Sequence, residues 1–505
     1  MTPRFTRAAT ALALILPAQS ATALTPEEAW ASIEALSSSY GQTVTVAGTD
    51  RSGDTLTVSG ITYAMTVADG PTVTATVGSA TFRDRGDGTV EITYPAGYEA
   101  LIAFPEGADG PKSLTLAVTW DQLSIIGSGT AEAAIFDMTA AAMTFTAKDI
   151  IDQDGTALDM SGVATLTGLS GGYSAQPGGT VTTFTNDMTA ETMELTVNAK
   201  EPGGEGVLSG SMKTGALAIK SKTGMVDQAL IQSGNISAAL AAGFMVDTAL
   251  ESGPISMVFD FSDRTTTGHF DGTLTGAAVH VLLNADELDY GYALRGGSFN
   301  ATGFDMPLQQ IASSFGEIAL AIAMPVKASD TPEPFSATLR LVDLTMTEEV
   351  WAIFDPGQQL KRDPVTLITD IDGTGAWTVD ILDPAAQMDS GPDLPAKLFT
   401  LELTEVLARA AGAQVAAAGG LTFDNANLQP YGGFPAPTGK ITVTMDGINA
   451  LLDALVAIGV VPEDDMMGAR MGLAMFARPG ANPDQLVSEI EFRDGGLFVN
   501  GQQMF

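Results

Sequence analysis

The sequence predicts a mainly β protein: a large antiparallel sheet, curved or elongated or split into two packed β domains, with an N-terminal helix and a few short helices in the C-terminal third. Three observations carry this expectation. Apolar residues alternate with Thr, Ser and charged residues over many short segments, the period of a strand with one wet face. Asp-Gly pairs and other Gly-rich stretches recur along the chain, and they suit the positive φ of tight hairpin turns. Only 16% of the 505 residues are charged, so polar positions fall to Thr, Ser and Gly, as on sheet surfaces.

The first residues have the layout of a secretory signal: Arg4 and Arg7, an apolar run from Ala8 to Leu16, Pro17, and Ala21-Thr22-Ala23 as a small-x-small cleavage site. Cleavage is expected after Ala23, giving a mature chain from Leu24 in the periplasm. The apolar run is short for a bilayer and no later stretch approaches roughly 20 apolar residues, so no transmembrane span is expected in the mature chain. With Cys 0 there is no disulfide framework, lipid-modified cysteine or thiolate chemistry. A formal net charge of -37 disfavours nucleic acid, anionic lipid headgroups and other polyanions as partners.

The mature chain opens on a helix signal, with Thr25 as N-cap, Pro26 in the first turn, Glu28 closing a capping box, and Trp30, Ile33 and Leu36 on one face. Period two follows. Val73, Ala75 and Val77 alternate with threonines, as do Val90, Ile92 and Tyr94 with Thr89, Glu91 and Thr93. The same pattern marks Leu114 to Trp120, Met257 to Phe261, Trp377 to Ile381 and Ile441 to Met445. Hairpin turns are expected at Asp69-Gly70, Asp87-Gly88, Asp154-Gly155, Asp271-Gly272, Asp372-Gly373 and Asp494-Gly495. Gly-bounded segments such as Gly53 to Ile61, Gly155 to Leu169 and Gly412 to Phe423 share a loose form, pointing to a stacked or elongated sheet, with a compact sandwich as the alternative.

Helical spacing is read after Pro307, at Leu308, Ile311 and Phe315; after Thr347, over Glu348 to Phe354; and at Ile448, Leu451, Leu452 and Leu455. A last helix opens at Pro462 with Glu463-Asp464-Asp465 and carries Met467, Met471 and Met475 on one stripe, assigned to core packing rather than a soft metal site or contact surface. A strand at Ile490 and Phe492 follows, and the chain returns to sheet near Phe498. The organisation expected is a signal over residues 1–23, a β-rich region over 24–330, and a β region with short helices over 331–505 that either stands alone or continues the preceding one. The candidate seam is Ser329-Asp330-Thr331-Pro332-Glu333-Pro334, where prolines and polar residues cluster as in linkers.

Motifs that carry chemistry are sparse. Gly168-Leu169-Ser170-Gly171-Gly172 matches the string of a hydrolase nucleophile elbow, but no helix follows it, so it is read as a β-turn with a further turn over Tyr173 to Gly179. The two histidines, His269 and His280, could face each other across the Asp271-Gly272 turn, yet no further ligand completes a zinc set. Asp152 to Gly155 and Asp370 to Gly373 are fragments of a calcium loop without its first carboxylate or its bidentate Glu. No phosphate loop or dinucleotide fingerprint is present. The reading therefore assigns no catalytic, cofactor-binding or metal-binding residue.

Phe423-Asp424-Asn425, the loop from Gly432 to Gly439, Leu451 to Gly459, Met467 to Met471 and Asn500-Gly501-Gln502 together resemble the bacterial envelope family called domain of unknown function 2125. Arg51 to Val58 and Arg83 to Val90 also look like it. The resemblance implies export and a β-rich fold and brings no catalytic motif. The expected function is that of an exported, non-catalytic envelope protein that binds lipid or another envelope protein through an apolar sheet face, with a periplasmic carboxylate-dependent hydrolase as the alternative. An outer-membrane barrel, suggested by Phe505, fits poorly with the late helices and with Gln503.

Overall fold

The computed structural model describes residues 23–67, 70–107, 110–306, 308–383, 386 and 395–504. The expected signal segment up to Thr22, Asp69, Pro307 and Phe505 lie outside these residues. Helix α1 (Pro26–Ser39) starts as its sequence dictates. The Glu28 carboxylate accepts from the Thr25 N–H at 2.8 Å and Thr25 Oγ1 accepts from the Glu28 N–H at 3.3 Å, the reciprocal satisfaction of two orphan donors.

Strands then follow almost without interruption: β1 (Thr43–Thr45), β2 (Gly48–Ser52), β3 (Thr55–Thr66), β4 (Thr72–Asp84), β5 (Val90–Thr93), β6 (Gly97–Ala103), β7 (Ser113–Asp121), β8 (Ser124–Thr130), β9 (Ala133–Ile151) and β10 (Met160–Gly178). They continue as β11 (Val181–Ala190), β12 (Thr192–Lys200), β13 (Val207–Thr214) and β14 (Leu217–Met225). After the short helices α2 (Gln228–Gln232) and α3 (Ile236–Ala241) come β15 (Met245–Ser252), β16 (Ile255–Ser262), β17 (Thr267–Leu274), β18 (Gly276–Leu283), β19 (Glu287–Gly303), β20 (Gln310–Pro325) and β21 (Glu333–Met346). Helix α4 (Glu348–Trp351) precedes β22 (Val365–Trp377), β23 (Ala396–Ala410), β24 (Ala413–Asp424) and β25 (Ala436–Asp446). Helices α5 (Ile448–Ala457) and α6 (Glu463–Phe476) lead to β26 (Arg478–Pro479), β27 (Gln485–Arg493), β28 (Gly496–Val499) and β29 (Gln502–Gln503).

All of these strands belong to one sheet. Its rungs are either single long strands or two short strands laid end to end. β5 and β6 both pair with β4, and β7 and β8 both pair with β9. The same holds for β11 with β12 against β10, and for β17 with β18 against β19. Every strand pairing is antiparallel, and among the described residues the first and last rungs share no partner, so the sheet is open. Roughly twenty rungs at about 4.8 Å each give a ladder on the order of 100 Å along its contour.

The breaks within the rungs line up into a crease. It passes through Gly78, Pro95, Gln122, Ala141, Gly168, Glu191, Gly215, Gly253, Thr275, Gly296, Gly316 and Asp343, on successive rungs of the ladder. Gly168 has φ +60° and an added Cβ would lie 2.5 Å from the Glu191 side chain; Gly296 has φ +55° with Thr275 Oγ1 equally close. Positive φ in mid-strand bends the rung and tightens its twist. The segment from Gly168 to Gly172, expected to be a turn, sits inside the long strand β10, and strand geometry runs on through Tyr173 to Gly178.

Other expectations are corrected by pairing. Asp271-Gly272 and Asp372-Gly373 lie within β17 and β22, where the missing Cβ makes room for Met257 and for the Phe335 ring. Leu308, Ile311 and Phe315 form no helix: β20 pairs with β19, and Phe315 stands opposite Gly297, whose bare Cα accommodates its ring. Val379 and Ile381 fall beyond the end of β22. Asp87-Gly88, Asp154-Gly155 and Asp494-Gly495 do occupy connections between consecutive strands. Residues 329–332 lie in the link between β20 and β21, which pair directly, and Glu333 and Pro334 already belong to β21.

Candidate functional site

Because side chains alternate across the pleat, each row of directly paired residues belongs to one face of the sheet. One row runs Ile92, Ile125, Met138, Gly171, Met188, Ile219, Leu250, Val279, Tyr292, Leu320 and Leu339, then Thr369, Val406, Ala417 and Val443. It is apolar almost throughout. The adjacent row, on the other face, reads Asp137, Gly172, Asp187, Lys220, Ala249, His280, Gly291, Ala321, Thr338, Asp370 and Glu405. One face is thus an oily strip spanning most of the ladder, and the other is polar.

The polar face is laced by cross-strand pairs. Thr144 and Thr165 hydroxyls lie 3.2 Å apart, Thr374 and Thr400 lie 2.7 Å apart, and Arg340 bridges Asp370 and Glu405. Both histidines belong here. His269 Nδ1 is 2.7 Å from Asp260 and its Nε2 is 3.4 Å from Asp271, while His280 Nε2 is 2.7 Å from Asp289. The hydrogen bond to Asp260 raises the His269 pKa above the ordinary imidazole value. The two rings do not face each other, since β17 and β18 lie end to end rather than paired. Among the described residues no group of three metal-binding side chains converges. Asp154 accepts from the Thr156 N–H as a turn residue does, and Asp370 is held by Arg340 in mid-strand. Ser170 is exposed within β10.

The apolar face is a trough whose covering varies along its length. At the N-terminal end α1 lies on it: Ala29 and Trp30 pack with Val58, Ile61, Phe82, Val90 and Ile92 into a closed core, and Trp30 meets Phe82 edge-on at 5.7 Å. Along the crease the floor is made of buried Ala140, Leu169 and Ala190. At the C-terminal end α5 and α6 lie over β25 and β27 around an apolar cavity of about 510 Å³. Between these covers the walls are open: Leu250, Val279, Ile322 and Leu339 are 39, 40, 38 and 44% exposed. A buried core residue of the same type would be near zero, as Val58 is.

Beside the N-terminal cover is a cavity of about 450 Å³ lined by Tyr63, Tyr94, Tyr98, Trp120, Met138 and Met143, with Gln42 adding an amide. Burial raises all three phenol pKa values, and Glu34 and Tyr98 add to the effect at Tyr63, which is pushed up to about 12. The folded protein therefore holds the Tyr63 proton through a range, from about pH 10 to about pH 12, in which an unfolded tyrosine loses it. The unfolded state then binds fewer protons, so stability present below pH 10 falls as pH rises through this window. Thermal midpoints measured at pH 9 and pH 11.5 are expected to show this drop, and Tyr63→Phe is expected to shrink it.

The methionine stripe departs from the sequence reading. Met467, Met471 and Met475 point away from the sheet and are 69, 68 and 60% exposed. Helix α6 rests instead on Ala469, Gly472, Leu473 and Phe476. It carries two apolar stripes, and helical spacing identifies a stripe without saying which one is packed. No Asp or Glu lines the trough cavities at the two ends or the one along the crease, and no helix among the described residues is long and apolar enough to cross a membrane.

Comparison with known proteins finds a family match over part of the chain. No curated protein and no solved structure gives a significant match to the chain. The strings at 51–58 and 83–90 that also look like the family lie outside the matched segment, which carries β17 to β29 and the helices that cover the C-terminal end of the trough. Residues 265–503 match the family described as uncharacterized protein conserved in bacteria, DUF2125, the one that the C-terminal strings resemble.

Proposed function

We propose that the protein is an exported, non-catalytic component of the bacterial envelope, working in the periplasm, that holds the acyl chains of a lipid along the apolar trough. The observation that supports this is the unbroken row from Ile92 to Leu339, whose walls stay open to solvent over the middle of the ladder. Large contiguous apolar surface left uncovered marks a binding surface. Each methylene that leaves water for such a wall contributes about 0.8 kcal/mol, so an extended chain gains along every rung without any single specific contact. The acidic surface disfavours anionic headgroups at the rims. Its lack of convergent polar chemistry on the inner face suits holding rather than turnover.

The test is direct: purify the chain from a periplasm without detergent, extract with organic solvent, and look for bound lipid by mass spectrometry. Near-stoichiometric lipid is the expected result. An extract free of lipid, from protein that also fails to take up a hydrophobic fluorescent probe, removes this reading.

A further inference from the structure

The cavity at the N-terminal end of the trough has more chemistry than acyl chains require. Tyr63 on β3, Tyr94 just after β5 and Tyr98 on β6 bring three phenol groups to one apolar space, walled by Trp120 at 6.0 Å from Tyr98 and 6.5 Å from Tyr94, ring centre to ring centre. The three rings share this lining, and none of their hydroxyls is among the fully buried polar atoms left without a partner. A phenol O–H that faces an open apolar cavity donates to water there. A ligand oxygen placed among the three would take the place of that water while its apolar part covers the rest of the lining.

The rest of the lining restricts that ligand. No Lys or Arg borders the cavity, and the Glu34 carboxylate bears on Tyr63. A phosphate or carboxylate would enter with no counter-charge, in a low-dielectric space and against a chain of net charge -37. The volume, about 450 Å³, suits a compact head group rather than a whole lipid. Ile125 and Met138 line the cavity and also belong to the long apolar row, so a chain attached to a head group seated here continues directly into the trough.

We propose that this cavity receives the carbonyl-bearing head of an uncharged lipid, with the hydroxyls of Tyr63, Tyr94 and Tyr98 donating to its oxygen atoms while its chain lies along the trough. The proposal rests on the lipid-holding reading above and names its ligand class. Two sources offer this chemistry, the esters of an acylglycerol and the ring carbonyls of a prenylquinone.

Competition against a hydrophobic fluorescent probe, N-phenyl-1-naphthylamine, on the delipidated full chain tests it. Dioctanoylglycerol and decylbenzoquinone are compared with dodecane, decanoate and decyltrimethylammonium. At least one carbonyl compound is expected to displace the probe at a tenfold lower concentration than any of the three comparators, and the better of the two identifies the source. The combined substitution Tyr63→Phe, Tyr94→Phe and Tyr98→Phe is expected to abolish that tenfold preference while leaving the probe bound. Ala75→Phe, which fills the cavity from its β4 wall, is expected to do the same with every phenol intact, so a folding defect in the triple variant does not decide the matter. Equal displacement by dodecane, stronger displacement by either charged compound, or a preference that survives both variants would overturn the proposal and leave the trough standing. Failure of the probe itself to bind, from protein whose extract is also free of lipid, overturns both.

Discussion

Phe82→Ala is expected to lower the stability of the N-terminal part of the protein by about 3–5 kcal/mol. Phe82 has no exposed surface and lies where α1, β3 and β4 meet, edge-on to Trp30 and surrounded by Val58, Ile61 and Val90. Truncation removes the transfer free energy of the ring, leaves a cavity in a closed core, and forfeits an aromatic pair worth about 0.5–1.5 kcal/mol. Urea unfolding followed through Trp30 emission, in a background where Trp120, Trp351 and Trp377 are replaced by Phe, measures the effect. Leu101→Ala is the matched comparison: Leu101 is 51% exposed on β6, and its loss should change stability by less than about 0.5 kcal/mol. A Phe82 variant as stable as the Leu101 variant would mean that α1 does not seal the trough.

The second large effect is on binding rather than stability. Leu250→Glu puts a carboxylate into the middle of the apolar row, between Ile219 and Val279. The side chain is already 39% exposed, so the folded state tolerates the charge, but an acyl chain laid over it would have to strip its water. Co-purifying lipid is expected to fall at least tenfold. Ala249→Glu, one residue earlier, points to the other face, between Lys220 and His280, and should leave the lipid content unchanged. The same residue type at neighbouring positions gives opposite results only if the alternation of the pleat decides what the ligand sees. Equal loss in both variants would locate any bound lipid elsewhere.

Much of this architecture is legible in the residues. Period-two alternation finds the strands because one face is wet and the other oily, and the capping box at Thr25 and Glu28 fixes the start of α1 through local hydrogen bonds alone. The crease is not legible. A glycine that bends a rung, such as Gly168, and a glycine that yields to a neighbour's ring, such as Gly373, look the same in sequence as a glycine in a hairpin turn. Only pairing across the ladder separates the three. Leu308, Ile311 and Phe315 read as a helix because three apolar residues at that spacing fit either period, and the neighbouring strand then decides. The candidate site was visible only as an apolar sheet face. Its openness depends on where α1, α5 and α6 come to rest, and the meeting of Tyr63, Tyr94 and Tyr98 depends on the register by which β3, β4 and β6 pair.

The ladder has one further property. Apart from the helices at its ends and connections and the apolar clusters on one face, each rung makes its main contacts with the two beside it, so the molecule is close to one-dimensional in its energetics. Pulled from its ends, such a chain gives way in instalments rather than in one event. Its dimensions are also modular. One up-and-down pair of rungs corresponds to about 10 Å of contour, so gain or loss of such a pair during evolution would change the reach of the trough between its two covers while leaving the covers themselves intact. Length is then a quantity that selection can adjust in fixed increments, separately from whatever the ends have come to recognise.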